Sequence, residues 1–212
     1  MKIKLKDVET ILDKDRALYL IAYKMLVISD LHLGKSAHFR KGGLQIPSTI
    51  THADLDRLDN LLIKYKPEIL LITGDMFHHS LNKDIEDFSV LRKKHAAIKF
   101  ILVKGNHDRL AKENYLGFNI EVYDSCYSIG PFCFIHNLPE DFEDKLYPIT
   151  GHIHPGITLK GKAKQRLKFP CFYFGKKHAI LPAFSLFTGL SIIKPNVDEK
   201  VYAITASDVV EL

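Results

Sequence analysis

Apolar positions along this chain come in short runs, and their spacing alternates between the period of a strand and that of a helix. Leu18 to Tyr23 and Met25 to Ser29 read as paired opening strands, followed by a long loop carrying Gly34, Gly42, Gly43 and Pro47. A helix comes next: Ser48 and Thr49 mark its start, Leu55, Leu58, Leu62 and Tyr65 form its apolar stripe, and Pro67 closes it. Ile69 to Thr73 and Ile98 to Val103 are unbroken apolar runs, the pattern of parallel strands buried on both faces, with a second helix predicted over Asp84 to His95 between them. From Ile129 onward strand-length segments dominate. Strands alternating with helices and then a strand-rich half predict an α/β (α+β) fold of two sheets with helices outside. No linker rich in Pro, Gly or Ser divides the 212 residues, so one domain over 1–212 is expected.

Composition narrows the classes. With 46% hydrophobic residues the chain can bury a sizeable core, and its net charge of +5 suits a polyanionic partner without requiring one. Cys126, Cys133 and Cys171 are odd in number and lack Cys-x-x-Cys spacing, which predicts reduced thiols rather than a disulfide framework or a zinc ribbon. The N-terminus alternates lysines with apolar residues and has no signal-peptide core, so a cytoplasmic location is expected. The longest uncharged run, Ala179 to Ile193, holds 15 residues with Pro182 and Gly189 inside it, short of the ~20 needed to span a bilayer.

The chemistry sits in four short polar runs and one isolated histidine: Asp30-Leu31-His32, Gly74-Asp75, Gly105-Asn106-His107-Asp108, His136, and Gly151-His152-Ile153-His154. Each follows a predicted strand, where an open α/β sheet gathers its functional residues. The mixed oxygen and nitrogen donors suit borderline divalent metals rather than calcium. Two adjacent ions need a bridging ligand and about three more ligands each, and seven candidates are present. Asp30, His32 and His154 would hold one ion, Asn106, His136 and His152 the other, with Asp75 between them. The single-residue gap in Asp30-x-His32 and His152-x-His154 is read as strand alternation, which sends both side chains to one face.

In this order the runs resemble the calcineurin-like metallophosphoesterases, whose pattern is Asp-x-His, Gly-Asp, Gly-Asn-His-(Asp/Glu), His and Gly-His-x-His. Asp30-Leu31-His32-Leu33-Gly34-Lys35, Phe39-Arg40, Gly151-His152-Ile153-His154-Pro155, Lys168-Phe169-Pro170-Cys171-Phe172 and Leu181-Pro182-Ala183-Phe184 are similar to the DNA-ligase-associated branch of that family. No arginine follows Gly74-Asp75, and Asp108 stands where the protein Ser/Thr phosphatases carry Glu, which weakens a phosphoprotein phosphatase reading. The resemblance implies a four-layer αββα sandwich of two mixed sheets. It also implies two divalent ions, manganese foremost with iron, zinc or magnesium as alternatives. The activity implied is metal-dependent phosphodiester hydrolysis, specifically a DNA endonuclease of repair acting on single-stranded DNA, in association with a ligase and a helicase.

A metal-activated hydroxide would attack phosphorus in line, and His107, directly after Asn106, would protonate the leaving oxygen, with Asp108 orienting its ring or raising its pKa. Lys35 and Arg40 fall in the loop after the first ligands, where a substrate phosphate would arrive. Lys160, Lys162, Lys164, Arg166 and Lys168 are positive at every second position and on one strand would share a face, a candidate track for a nucleic-acid backbone through Lys162, Lys164 and Arg166 above all. The competing reading of these cations is an edge strand guarded against aggregation. Of the remaining histidines, His78 and His79 are close enough to Asp75 for a supporting contact, while His38, His52, His95 and His178 are expected to face solvent or make hydrogen bonds. Two other functions stay open at this point: a small-molecule phosphoesterase for nucleotides or a lipid-linked diphosphate, and a non-catalytic scaffold of the same fold.

Overall fold

Two β-sheets stack face to face in the computed structural model, which describes residues 1–35, 49–77, 83–142, 145–161 and 165–212. The first sheet has seven strands in sequence order: β1 (Lys2–Leu5), β2 (Val8–Asp13), β3 (Ala17–Leu20), β4 (Met25–Ile28), β5 (Ile69–Thr73), β6 (Lys99–Val103) and β7 (Ile120–Tyr123). β1 to β4 form an antiparallel meander, and β4 to β7 run parallel. The parallel part is connected through helices α1 (Thr49–Tyr65), α2 (Lys83–Lys94) and α3 (Lys112–Gly117). The two apolar runs and the two helices expected between residues 48 and 103 are all present. β1, β2, α3 and β7 are elements that the apolar pattern did not announce.

The second sheet has nine strands: β8 (Tyr127–Ile129), β9 (Phe132–Ile135), β10 (Tyr147–Thr150), β11 (Pro155–Lys160), β12 (Arg166–Phe174), β13 (Ala179–Ile180), β14 (Ser191–Ile192), β15 (Lys200–Ile204) and β16 (Val209–Glu211). It is mixed, since β10 runs parallel to β9 and β13 while β11 and β12 form an antiparallel hairpin.

Strand alternation explains why β4, β5 and β6 are apolar throughout. Leu26, Ile28, Leu70, Ile72, Phe100 and Leu102 point to Leu55, Leu58, Leu61, Leu62, Phe88 and Tyr115 of the helices. Met25, Val27, Leu71, Ile101 and Val103 point the other way, against Phe132, Phe134, Ile149, Phe172 and Leu181 of the second sheet. Each strand is covered on both sides, so neither face tolerates a polar residue. The expected sandwich of two mixed sheets is therefore present. Its described helices all belong to the first sheet, and among the described residues no helix covers the far face of the second. Cys126, Cys133 and Cys171 form no disulfide, and no helix among the described residues is long and apolar enough to cross a membrane.

The cationic positions are placed differently from the expectation of one strand. Lys160 ends β11 and Arg166 begins β12, paired directly across the hairpin, and Lys168 pairs with Thr158. Cross-strand partners share a face, so Lys160, Arg166 and Lys168 lie on one side of the hairpin, while Lys162 and Lys164 lie outside the described residues.

One polar contact joins the helical layer to the meander. Buried Asp13 accepts from the Tyr65 hydroxyl at 2.5 Å, from Lys64 Nζ at 2.7 Å and from the Asp15 N–H at 2.9 Å, while Tyr65 stacks on Tyr19 at 4.7 Å. Burial opposes its ionisation, but these three donors outweigh burial and hold its carboxyl below the usual range. A depressed carboxyl pKa contributes stability above the unfolded value of about 4 that is lost as pH falls through the folded value. Replacing Asp13 by Asn should therefore lower the unfolding free energy at pH 7 by about 1.5–3 kcal/mol. The loss should shrink below pH 4, as read by urea denaturation at both pH values; an equal loss at both would remove the charge from the account.

Candidate metal centre

β4, β5, β6, β9 and β10 all end on the same side of the sandwich, and the five polar segments leave from those ends. Backbone hydrogen bonds continue past the strands: Asp30 N donates to Gly74 O at 3.1 Å, His32 N to Asp75 O at 2.8 Å, and Gly151 N to His136 O at 3.1 Å. Three glycines permit this approach. A Cβ on Gly74 would stand inside the His136 ring, one on Gly105 would strike the Asp75 carboxylate, and one on Gly151 would strike Ser29 Oγ and Asp30. Gly74 is also left-handed, with φ +80°.

Two groups of side chains result. Asp30, His32 and His154 form one, and Asp75, His136 and His152 the other; within each, the ligating atoms lie within 4.8 Å of one another. Asn106 Oδ1 joins the second group, 3.2 Å from His136 Nε2. All seven residues proposed from sequence are thus brought to one place. The reason given for the single-residue gaps does not hold, however. Asp30, His32, His152 and His154 follow the strands rather than continuing them, with φ of +54°, +51°, +68° and +53°. A left-handed residue at each of these candidate ligands, and at Asp75 (φ +50°), turns the side chains inward, at a cost of order 1–3 kcal/mol per residue.

Asp30 divides its two oxygens. Oδ2 accepts from the His152 N–H at 3.1 Å and from the Ser29 hydroxyl, whereas buried Oδ1 makes no hydrogen bond and lies 3.2 Å from His154 Nε2. His136 donates through Nδ1 to Thr73 O at 3.1 Å, which leaves Nε2 facing Asp75 Oδ2 at 3.4 Å and Asn106. Burial opposes charge on His136, yet Asp75 and Asp30 raise its pKa to about 9; Asp75, also penalised by burial, is held well below the carboxylate range by His136 and by the His107 N–H at 2.9 Å. His32 is kept neutral, its pKa near 3, by burial and by Lys35. An orphaned buried carboxylate oxygen, a neutral His32 imidazole and oriented rings fit divalent cations, which would displace the proton that the neighbouring carboxylates hold on His136.

His107 packs its ring against His32, centroids 5.7 Å apart, on the side of the first group. Asp108 has both of its oxygens engaged by backbone N–H groups. Its Oδ1 accepts from Phe77 N and its Oδ2 from Gly105 N, both at 2.9 Å, so this buried carboxylate braces the Asp75 loop against the Asn106 loop. Burial raises its pKa to about 6 against those two donors. Lys35 is half-buried at the rim, its pKa lowered by burial against the pull of Asp30 and Asp75. Arg40, His38, His78 and His79 lie outside the described residues. His95 pairs with Asp59 at 2.7 Å, His52 lies 3.7 Å from Asp87, and His178 packs on Tyr173, all in supporting contacts.

The apolar and motif pattern missed a clamp behind the first group. Phe184 N donates to Ser29 O at 2.7 Å and Ser185 N to Asp30 O at 3.1 Å, so residues 183–186 fix the backbone that carries Asp30. That segment is held in turn by Asp54, which accepts from Ser185 Oγ at 2.9 Å and from Leu186 N, and by Arg16, which donates to Ala183 O and Ser185 O. Arg57 links Asp54 Oδ1 at 3.0 Å to Phe184 O and lies 4.2 Å over the Phe184 ring. A charged pair three residues apart beside the apolar stripe of α1 was its one trace in the sequence.

Residues 23–182 match the family model for calcineurin-like phosphoesterases, and the chain belongs to that family. Among solved structures it resembles the crystal structure of Pseudomonas putida nuclease MPE, at 30% identity and a TM-score of 0.84, with 100% of this chain and 99% of that one covered. A protein of unknown function from Aquifex aeolicus, AQ665, aligns at 24% identity and a TM-score of 0.43 over 61% of this chain and 78% of the other. No match was found among curated proteins.

The clamp generates a stability prediction. Asp54→Ala leaves the largely covered Arg57 side chain without its carboxylate and Ser185 Oγ and Leu186 N without their acceptor, a change expected to cost about 3–5 kcal/mol. Chemical denaturation measures it, and a loss below about 1 kcal/mol would mean the arginines are served by the carbonyls alone.

Proposed function

We propose that the chain is a binuclear, divalent-metal phosphodiesterase that cuts DNA. The observation that carries this reading is the pairing of two three-residue donor groups on adjoining strand ends, with Asn106 beside the second and His107 beside the first. The nuclease likeness, at full coverage of both chains, supports a nucleic-acid substrate, and the cationic side of the β11–β12 hairpin, just after His152 and His154, supports a backbone-tracking surface.

Asp30, His32 and His154 would hold one ion, and Asn106, His136 and His152 the other, with Asp75 shared. Ions bound there supply Lewis-acid polarisation of the phosphoryl oxygens and lower the pKa of attacking water. The chain's own residues do the rest. Thr73 O fixes the His136 ring so that Nε2 is the ligating nitrogen. Lys35 draws the phosphate to the rim. As the bond from water oxygen to phosphorus forms and the ester bond breaks, the ring proton of His107 passes to the departing oxygen.

Activity should require added divalent metal, and Asp75→Asn or His152→Ala should abolish it while circular dichroism stays native. Full turnover by EDTA-treated protein, or by a folded Asp75→Asn variant, would sink the binuclear reading. A second outcome isolates the acid. His107→Ala should slow cleavage of DNA by the ~10² to 10⁴ typical of general-acid loss, yet spare aryl phosphodiesters whose acidic phenols leave without a proton. Equal losses on both substrates would remove His107 from that role.

A further inference from the structure

A cleft of about 330 Å³ opens directly beside the second donor group. Asn106, His136 and His152 line it together with Lys104, Asp124, Ser125 and Asn137. Lys104 stands at the end of β6, its N–H bonded to Tyr123 O at the end of β7, so its backbone is fixed by the sheet. Its ammonium group meets Asp124 at 3.1 Å, an ion pair in which the carboxylate is 87% exposed and the lysine 33% exposed. Such a pair is worth about 0–1 kcal/mol, too little to hold Lys104 against a better partner.

We infer that this cleft is the subsite for the ester arm that stays on phosphorus, with Lys104 binding the next phosphate of that arm. This rests on the phosphodiesterase reading above and adds a named substrate contact to it. The side is assigned by His107: its ring packs on His32 of the first group, so the departing oxygen belongs there, and the retained substituent is directed toward the second group and the cleft. The cleft's chemistry fits a nucleoside arm. Its volume accommodates one nucleotide unit rather than a duplex. Ser125, Asn137 and Asp124 offer both donors and acceptors for sugar and base, and the lining contributes one cation.

Asp124 gives the inference a signature of opposite sign. Its carboxylate competes with an incoming phosphate for Lys104 and repels that phosphate, so its removal should tighten binding where removal of Lys104 weakens it. An ordinary surface ion pair would make both changes neutral.

The test uses the metal-loaded full chain and aryl phosphodiesters whose second arm is thymidine, with or without a further phosphate, in both the 3′ and 5′ orientations. In the parent protein the further phosphate should lower KM about tenfold in one orientation, as a single charge-assisted contact allows. Lys104→Ala should collapse that ratio toward unity, and Asp124→Asn should enlarge it. A ratio that survives Lys104→Ala overturns the assignment. Calorimetric titration with thymidine 3′,5′-bisphosphate reads the cleft without turnover: binding weakened by Lys104→Ala supports the subsite even if no aryl ester is hydrolysed, in which case the phosphodiesterase reading falls and the anion subsite stands. Binding indifferent to Lys104→Ala removes the subsite whatever the turnover.

Discussion

Everything at this centre depends on how the chain holds the Ser29–Asp30 peptide. That peptide leaves the first sheet, and its groups are taken up from three directions: Gly74 O accepts the Asp30 N–H, the segment at Phe184 and Ser185 donates to both carbonyls, and the His152 N–H binds Asp30 Oδ2. The Ser29 hydroxyl adds a bond to Thr73 O at 2.8 Å. Buried backbone groups must find partners, and here the partners come from both sheets. Satisfying one peptide therefore fixes the separation of the two sheets at the end where the histidines emerge. It also leaves a single carboxylate oxygen, Asp30 Oδ1, that the protein does not engage by a hydrogen bond.

The same economy appears at Asp75 and Asp108, one and three residues after the constrained glycines Gly74 and Gly105 of two neighbouring loops. Asp108 gives both oxygens to backbone N–H groups, whereas Asp75 gives Oδ1 to His107 N and keeps Oδ2 toward His136. Two carboxylates of similar burial thus take different tasks because of what the backbone presents to them. One stabilises loop geometry, and the other keeps an oxygen for chemistry. Left-handed backbone at five of the seven clustered residues is then tolerable, since the surrounding hydrogen bonds over-determine it.

How legible this was in the sequence follows from locality. β4, β5 and β6 were readable because both of their faces are buried, and α1 because its stripe repeats against them. β1 and β2 were not, for at the sheet edge lysines and glutamate occupy the outward positions and no apolar run remains. The seven donors were readable from order and residue type. Their mutual geometry was not, because left-handed turns rather than strand pleat aim them. The cationic series looked like one strand because alternation survives in a hairpin when the turn places Lys160 opposite Arg166. Least legible was the clamp: Asp54 meets Ser185 across 131 positions and Arg16 meets it across 169, and no local pattern encodes a contact of that span.

Charge is sorted by depth, and that sorting gives the site its direction. Asp30, Asp75 and Asp108 are buried, while Lys35 and Lys104 are only partly covered and Lys160, Arg166 and Lys168 are exposed. Of the buried acids, Asp75 stays ionised through short contacts with N–H groups and imidazoles, which a low-dielectric interior strengthens. Lys160, Arg166 and Lys168 remain solvated and exchange partners at little cost, whereas Lys35 is half-buried near Asp30 and Asp75. On the proposed reading, a cation is attracted inward past the lysines only by specific donors, whereas a polyanion meets the exposed positive charges first and reaches the carboxylates only where charge between them is compensated. Reversing the order, with buried lysines and rim carboxylates, would expel both. If the proposed reading holds, the arrangement lets one centre favour divalent ions and phosphates together, two ligands of opposite charge.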